Sequence, residues 1–221
     1  MNADSASASS DYEAVIGLEV HVQLSTQSKL FCGCSHDFGA QPNDNTCPVC
    51  LGHPGALPAV NREALRLGVR AAVSFGCEVA SFTKFDRKNY FYPDLPKGYQ
   101  ISQSDFPYAT GGAVAFERED GTLGRVELER IHVEEDAGKL MHEEHRTLVD
   151  LNRCGTPLLE IVSLPQLRAP RDAYLYLRTI RDQNPRIRVS DANMEEGSLR
   201  CDVNVSLPDC SASSLSPCHP R

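Results

Sequence analysis

The sequence has 221 residues, of which 41% are hydrophobic and 24% are charged. These ordinary globular values exclude collagen-like, coiled-coil and wholly disordered classes, and the length suits one large domain or two small ones. Lys and Arg number 22 against 30 Asp and Glu, a net charge of −8. A chain with this net charge does not attract the phosphate backbone of nucleic acid as a whole. Contact with RNA therefore needs a local basic patch or a partner protein.

The start of the chain predicts neither secretion nor a membrane anchor. Residues 1–11 contain no Lys or Arg and no apolar run, so we expect a disordered tail there. No stretch reaches 18 uninterrupted apolar residues, which favours a cytoplasmic protein with no membrane contact. The nine Cys, an odd count without a secretion signal, favour free thiols or metal ligands over disulfides.

The first predicted elements are a strand and a helix. Period-two alternation places four apolar side chains on one strand face: Ile16, Leu18, Val20 and Val22. Asn61 suits a helix N-cap and Gly76 suits a C-terminal stop. Between them, a stripe at helical spacing predicts the buried face: Leu65, Val69, Ala72 and Val73.

The later elements are a bulged strand, a helix and a final strand. The apolar phase changes between Arg125 and Glu135, which predicts a β-bulge near Glu129 and Arg130. If Ile131 and Val133 face the core, their neighbours face away: Arg130, His132, Glu134 and Asp136.

A second helix is predicted from Pro170 to Asn184-Pro185. Its apolar positions are Ala173, Tyr176, Leu177 and Ile180. The last strand places a further set on one face: Leu199, Cys201, Val203, Val205 and Leu207. Strands outnumber helices without regular helical crossovers, so we predict an α+β fold on a largely antiparallel sheet.

Four cysteines predict a small zinc knuckle. Cys32-Gly-Cys34 is followed by twelve residues and then by Cys47-Pro-Val-Cys50, so that two close pairs supply four soft ligands. A site with four thiolates and no open position is structural. The alternative is four unrelated cysteines in a polar loop, and two nearby histidines are possible substitute ligands: His36 and His53.

Carboxylates near the strands predict a second cation site. Glu19 and His21 share a strand face, close enough to hold one magnesium or manganese ion. An isolated pair of this kind usually just meets water. Further carboxylates recur at other strands, and their mutual repulsion favours a bound cation: Glu134, Glu135, Asp136, Glu195 and Glu196.

A basic and aromatic segment runs from Lys84 to Lys97 and carries a local charge of +2, since four bases face two acids. Such a segment can neutralise phosphates and stack a base. The alternative is a packed aromatic turn with solvated lysines. The chain contains no P-loop, dinucleotide-binding or serine-nucleophile motif.

Seven long motifs resemble the B subunit of the glutamyl-tRNA(Gln)/aspartyl-tRNA(Asn) amidotransferase. They are the segments 15–23, 84–94, 98–103, 132–139, 148–153, 155–163 and 194–202, in that order along the chain. The resemblance covers residues 12–207. It implies a glutamine-synthetase-like cradle domain, with ATP, Mg²⁺ and structural Zn²⁺ as cofactors. It also implies a heterotrimer with an amidase (A) subunit and a small C subunit, with misacylated tRNA as substrate and no DNA.

The resemblance implies that ATP phosphorylates the side-chain carboxylate of misacylated Glu-tRNA(Gln) or Asp-tRNA(Asn), and that ammonia from the amidase then completes the amide. The implied catalytic residues are Glu19, His21, Glu134, Glu135 and Glu195. The implied cofactor-binding residues are Lys84, Arg87, Lys88, Tyr90, Tyr92 and Arg200. The expected Mg²⁺ ligands are Glu19, His21, Glu134 and Glu195, with Glu135 and Glu196 as near alternatives because adjacent residues point oppositely.

The chain departs from the family pattern in two places. Residues 181–190 are more polar than is usual there, and residues 208–221 are rich in Ser, Pro and Cys and resemble no part of the family. We therefore expect an aberrant unstructured tail and a truncated chain without the helical and tRNA-binding tail domains. The alternative function is an inactive zinc-binding cradle fragment.

Overall fold

A computed structural model describes residues 12–208. The tail predicted at residues 1–11 and all but Pro208 of the tail predicted at 208–221 lie outside the described residues. Neither helix of the described range is long and apolar enough to cross a membrane.

The described chain contains two helices and eleven strands. The helices are α1 (Arg62–Ser74) and α2 (Pro170–Arg186). The first strands are β1 (Val15–Gln23), β2 (Glu78–Val79), β3 (Asp86–Asn89), β4 (Tyr99–Ser102), β5 (Ala109–Thr110) and β6 (Ala113–Glu117). The later strands are β7 (Leu123–Glu135), β8 (Lys139–His142), β9 (Thr147–Asp150), β10 (Pro157–Ser163) and β11 (Leu199–Ser206).

One seven-stranded sheet organises the fold. Its strand order is β11-β1-β10-β7-β5-β2, and β6 pairs with the first part of β7. Two separate hairpins, β3–β4 and β8–β9, complete the strands. All strand pairs among residues 12–208 are antiparallel, which confirms the predicted α+β class with a largely antiparallel sheet.

The alternation of β1 separates an apolar face of the sheet from a polar one. The predicted inward residues of β1 are all buried, and they join those of β7 and β10 in one core: Ile16, Leu18, Val20, Val22, Ile131, Val133, Leu159 and Ile161. The predicted bulge is confirmed. Val162 of β10 pairs with Arg130, the next residue Ser163 pairs with Leu128, and Glu129 is skipped. The bulge lets both halves of β7 present apolar side chains to the core.

Helix α1 begins where the sequence predicts, but its buried face is different. The Asn61 side chain accepts a hydrogen bond from the Glu63 amide at 2.9 Å, and Gly76 follows the helix with a φ of +71°. Val69 and Val73 of the predicted stripe are exposed. Ala72 of the stripe is buried as predicted, and Leu65 packs against the core. The other buried residues are Ala64, Leu67, Gly68 and Ala71. Small residues let the helix approach closely, since a Cβ atom on Gly68 would lie 3.0 Å from the Tyr108 ring.

Helix α2 begins at Pro170 as predicted and ends later than predicted. Tyr176 and Ile180 are completely buried against the sheet. The helix continues through Asn184 and Pro185 to Arg186, which corrects the predicted end. Proline removes only one N–H donor from this last turn. The turn is held by the Asn184 side chain, which donates to the Ile180 carbonyl at 2.8 Å.

Strand β11 forms one edge of the described sheet. Leu199 is buried, but Val203 and Val205 on the same face are each 58% exposed. The predicted strand is therefore confirmed, and only its first part contributes to the core.

Candidate active site and cysteine cluster

The polar face of the sheet forms the floor of a cleft of about 800 Å³. Side chains from β1, β7, β10 and β11 line the floor, and the β3–β4 hairpin lines one wall. The volume lies within the usual range for small-molecule sites. The cleft exists because the β1 and β7 alternation that buries apolar residues on one face presents polar residues on the other.

Strand register places four ionisable residues in a row across this floor. Arg200 of β11 pairs with His21 of β1, and His21 pairs with Glu160 of β10. Glu160 in turn pairs with His132 of β7. Glu134, two residues further along β7, lies on the same face as His132. Four different strands thus bring together one guanidinium group, two imidazoles and two carboxylates.

Three of these residues form a cluster with metal-ligating geometry. His21, Glu134 and Glu160 each offer a ligand atom, and the three atoms lie within 4.8 Å of one another. The buried His21 Nε2 atom has no hydrogen-bond partner among the described residues and lies 3.6 Å from Glu160 Oε2. Ser102 of β4 donates its hydroxyl hydrogen to Glu134 Oε2 at 2.9 Å.

His132 lies beside this cluster and alters its electrostatics. Its Nε2 atom is 3.0 Å from Glu160 Oε2 and 3.5 Å from Glu134 Oε2. Burial opposes a charge on His132, but the hydrogen bonds and charges of the two glutamates outweigh burial and raise its pKa to about 9. Burial likewise opposes ionisation of Glu160, yet the hydrogen bond and charge of His132 leave the Glu160 pKa below its usual value.

The donor set of the cluster fits a divalent cation. Carboxylate oxygens suit magnesium or manganese, and one imidazole is compatible with either ion. The unpartnered His21 nitrogen is the observation that favours a ligand here, because buried polar atoms are normally satisfied.

The structure brings most of the predicted site residues to the cleft. Those that line it are Glu19, His21, Arg87, Lys88, Tyr90, Glu134 and Arg200. Glu19 lies at the rim, outside the three-residue cluster, where it accepts a hydrogen bond from the Asn204 side chain at 2.9 Å. The guanidinium of Arg87 stacks on the Tyr99 ring at 4.9 Å.

Other predicted residues lie away from the cleft lining. Lys84 is held by Asp86 at 2.6 Å and by Asp105 at 2.8 Å. The Tyr92 side chain is exposed, and Glu195 is exposed with its near alternative Glu196 in the turn before β11.

Glu135 points to the opposite side of β7 from Glu134. There it forms a buried ion pair with Lys97 and accepts a hydrogen bond from the Ile101 amide at 2.9 Å.

Sequence reasoning missed Glu160, although the strand carried a signal. Strand β10 reads Pro-Leu-Leu-Glu-Ile-Val-Ser, and every residue of it is buried. One glutamate inside an apolar strand must be paired or must bind a cation, since a buried unpaired charge is very costly. The same argument applies to His132, which sequence analysis placed on the correct face without giving it a role.

Asp136 fixes the arginine at the end of the row. Its side chain is almost completely buried and accepts a hydrogen bond from Arg200 Nη2 at 2.7 Å and from Gln23 Nε2 at 2.9 Å. Arg153 approaches the same carboxylate at 3.6 Å. Two guanidinium groups around one carboxylate leave positive charge at this side of the cleft, where an anionic ligand is favoured.

The four cysteines singled out by spacing also come together. One sulfur atom from each of Cys32, Cys34, Cys47 and Cys50 lies within 4.8 Å of the others. This proximity favours a common site over the alternative of four unrelated cysteines. His36 is not part of this cluster, since its Nε2 atom contacts the Thr26 hydroxyl at 3.0 Å and the Thr26 carbonyl at 2.9 Å.

The cysteines of the cluster differ in how readily they ionise, and burial is the main cause that raises the pKa of Cys34 to about 11. The hydrogen bond from Cys32 lowers the pKa of Cys50 to about 4, and the same contact raises the pKa of Cys32. The completely buried Lys29 ammonium adds positive charge, with its Nζ atom 3.7 Å from Cys50 Sγ. Four soft donors in this arrangement fit tetrahedral zinc.

Residues 12–208 thus form an α+β domain with a polar cleft and with two separate groups of side chains that could hold a metal ion. A family model described as GatB/GatE catalytic domain matches residues 14–216. The chain belongs to this family, which confirms the resemblance drawn from the seven motifs.

Curated relatives agree with this assignment. The chain is 51% identical over 197 residues to the B subunit of the aspartyl/glutamyl-tRNA(Asn/Gln) amidotransferase of Clostridium botulinum (strain Alaska E43 / Type E3). It is 56% identical over 197 residues to the protein of the same name from Persephonella marina, and 57% identical over 198 residues to that from Rhodopirellula baltica. The alignments cover 89%, 89% and 87% of this chain, but only 41%, 41% and 40% of those relatives.

Proposed function

We propose that this chain carries the ATP-dependent phosphoryl-transfer site of a tRNA-dependent amidotransferase. The substrate is the side-chain carboxylate of glutamate on tRNA(Gln) or of aspartate on tRNA(Asn). The observation that supports this most directly is the His21, Glu134 and Glu160 cluster at the floor of a cleft with basic residues around it. Family membership and the names of the relatives favour the same reaction.

The proposed chemistry converts a poor electrophile into a reactive one. A carboxylate oxygen of the substrate bonds to the γ-phosphorus of ATP while the bond to the ADP oxygen breaks. Ammonia then attacks the carbonyl carbon of the acyl phosphate, phosphate leaves, and a proton from the nitrogen passes to solvent. Catalysis of such a transfer is mainly positioning and stabilisation of the phosphoryl charge.

The residues of the cleft are suited to these tasks. His21, Glu134 and Glu160 would hold Mg²⁺, which neutralises negative charge on transferring phosphates when bound. Arg87 and Lys88 of β3 and Arg200 of β11 provide cationic donors on different sides of the cleft. Tyr90 supplies an aromatic surface at the rim, on which a purine base could stack.

Glu19 remains in the proposed site as a further carboxylate at the rim. Four residues keep their proposed roles only as expectations from the family resemblance, because they lie off the cleft lining: Lys84, Tyr92, Glu135 and Glu195.

A structural zinc ion at the cysteine cluster is part of the proposal. Four thiolates leave no open coordination position, which is typical of a structural site. Lys29 joins this loop to the rest of the domain, since its ammonium also donates to the carbonyl of Asn45 at 2.6 Å and to that of Leu151 at 3.3 Å. Zinc would therefore fix the loop against the segment that follows β9.

The proposed partners are the amidase subunit that releases ammonia, a small third subunit and the misacylated tRNA. The described domain would form the N-terminal part of a glutamine-synthetase-like cradle. A chain of net charge −8 has little general attraction for a tRNA backbone, so partner surfaces would contribute to tRNA binding.

Calorimetric titration of this chain tests the proposal. Mn²⁺ is titrated first, as a probe of the Mg²⁺ site, and ATP is titrated in the presence and absence of Mn²⁺. We expect one Mn²⁺ site in the cleft and ATP binding that depends on it. Glu160→Gln should weaken Mn²⁺ binding at least about 100-fold, because a buried charged ligand is lost. Glu143→Gln, in the exposed turn between β8 and β9, is the control and should leave binding unchanged.

Reconstitution with the amidase and small subunits adds the activity measurement. Formation of ADP that requires misacylated tRNA, and that is lost in Glu160→Gln but retained in Glu143→Gln, is the expected result. Zinc binding without any Mn²⁺-dependent ATP binding would refute the phosphoryl-transfer proposal and support the inactive zinc-binding fragment.

A further inference from the structure

His132 occupies a position in the cleft that metal ligation by its neighbours does not explain. It lies directly opposite Glu160 in the β7–β10 register, and only 4% of its surface is exposed. Its ring belongs to the polar face of the sheet, yet the three-residue metal cluster comprises His21, Glu134 and Glu160 without it. A histidine buried this completely must satisfy its polar atoms locally or serve the site.

The contacts of His132 are concentrated on one ring nitrogen. Nε2 lies 3.0 Å from Glu160 Oε2 and 3.5 Å from Glu134 Oε2, while the buried Nδ1 has no hydrogen-bond partner among residues 12–208. Ionised carboxylates only accept hydrogen bonds, so Nε2 must carry the hydrogen. His132 therefore acts as a donor placed between the two carboxylates of the cluster.

These contacts would fix how the carboxylates present themselves to a cation. Glu134 Oε2 also accepts from Ser102 at 2.9 Å, so protein donors approach the same oxygen of this side chain from two directions. Glu160 is held through its Oε2 atom by His132. Without such donors, two neighbouring glutamates would repel each other and rotate apart.

We propose that His132 is a positioning residue that orients Glu134 and Glu160 for the bound cation by hydrogen bonding through Nε2, without itself ligating the metal. This proposal rests on the proposed metal cluster and assigns the residue that pre-organises it. Groups in this outer position commonly change metal affinity by 10–100-fold when removed. His132 thus determines the affinity of the site without touching the phosphoryl group.

Two variants of His132 separate positioning from ligation and from folding. Glutamine places an amide N–H at about the reach of the imidazole Nε2, whereas leucine has similar bulk and no donor. Mn²⁺ is titrated into each full 221-residue chain, with zinc content and the thermal unfolding midpoint measured in parallel. We expect His132→Gln to remain within about 3-fold of the wild-type Mn²⁺ affinity and His132→Leu to fall about 10–100-fold, with zinc content unchanged in both.

His132→Asn covers the case in which the leucine variant does not fold. Its shorter side chain keeps a polar group but does not reach both carboxylates, so we expect it to lose Mn²⁺ affinity as leucine does. Wild-type Mn²⁺ affinity in the leucine or asparagine variant would overturn the proposal. An equal loss in the glutamine and leucine variants would also overturn it, because His132 would then be a ligand itself. A wild-type chain that takes up zinc but no Mn²⁺ would refute the metal cluster as well as the role of His132.

Discussion

In the absence of a divalent cation in the cleft, the stability of this domain should decrease as pH rises from neutral to alkaline, and His132 should cause the decrease. The pKa of His132 is about 9 in the folded protein, against about 6.5 for an unperturbed histidine. A group whose folded pKa is raised stabilises the fold fully below its unfolded pKa. That contribution is lost as pH rises through the folded value.

The size of this effect follows from the two pKa values. A pKa of about 9 in the folded protein against about 6.5 in the unfolded chain corresponds to about 3 kcal/mol of unfolding free energy, since a tenfold change in a proton affinity is worth about 1.4 kcal/mol. Burial of the group makes solvent screening small, since the His132 side chain is 4% exposed. The partner Glu160 does not affect this window, because its pKa is lowered and its own contribution is lost only in acid.

Urea unfolding of the wild type and of His132→Gln measures the contribution. Both proteins are zinc-loaded, dialysed free of Mg²⁺ and Mn²⁺, and unfolded at pH values from about 6 to about 10, which span both pKa values. The difference in unfolding free energy between them should shrink by about 3 kcal/mol across this range, because other titrating groups are common to both. If unfolding free energy changed with pH in the same way for both proteins, then Glu134 and Glu160 would not raise the pKa of His132 in the folded state.

Three further outcomes test other parts of the structure. Elemental analysis should find one zinc per chain in the wild type and in Cys77→Ser but not in Cys47→Ser, and a wild-type content below about 0.1 equivalent would refute the zinc site. Tyr176→Phe should raise the unfolding free energy by about 1 kcal/mol, because the buried Tyr176 hydroxyl has no partner among the described residues; a loss of stability in urea would contradict this. Gly76→Ala should lower the unfolding free energy by about 1 kcal/mol, and Gly112→Ala should lower it by at least about twice as much. Both glycines have positive φ, but a Cβ atom on Gly112 would lie 2.6 Å from a backbone oxygen, whereas Gly76 faces open space; equal costs in thermal unfolding would refute the argument.

Strand patterns allowed much of the fold to be predicted from the sequence. Period-two alternation predicted β1 and the bulge in β7, because one face of each strand must meet the core. The buried face of α1 could not be obtained in the same way. The prediction favoured large apolar side chains such as Val69 and Val73, but close packing against Tyr108 selected the small residues instead.

The candidate site was partly predictable for a related reason. Cysteine spacing predicted the four-thiol cluster, since both pairs lie close in sequence. Glu160 could not be found by alternation, because β10 is buried on both faces and carries no polar stripe. Glu160 lies between His21 and His132 because β10 pairs with β1 on one side and with β7 on the other. This strand order depends on contacts between residues far apart in the chain.

Glu134 and Glu135 point to opposite sides of β7, so the pairing register of this strand determines the side chains on both sides of it. Glu134 lies in the cleft with His21 and Glu160, while Glu135 forms the buried ion pair with Lys97 on the other side of the strand. A slip of one residue in either direction would turn each side chain of β7 to the other face and bring Val133 into the cleft. Glu134 or Asp136 would then face Lys97 in place of Glu135, so the slip would be disfavoured by exposed apolar surface rather than by an unpaired lysine. The arrangement of the cleft floor and the ion pair behind it therefore depend on one and the same strand register, and a shift of β7 cannot alter one of them without altering the other.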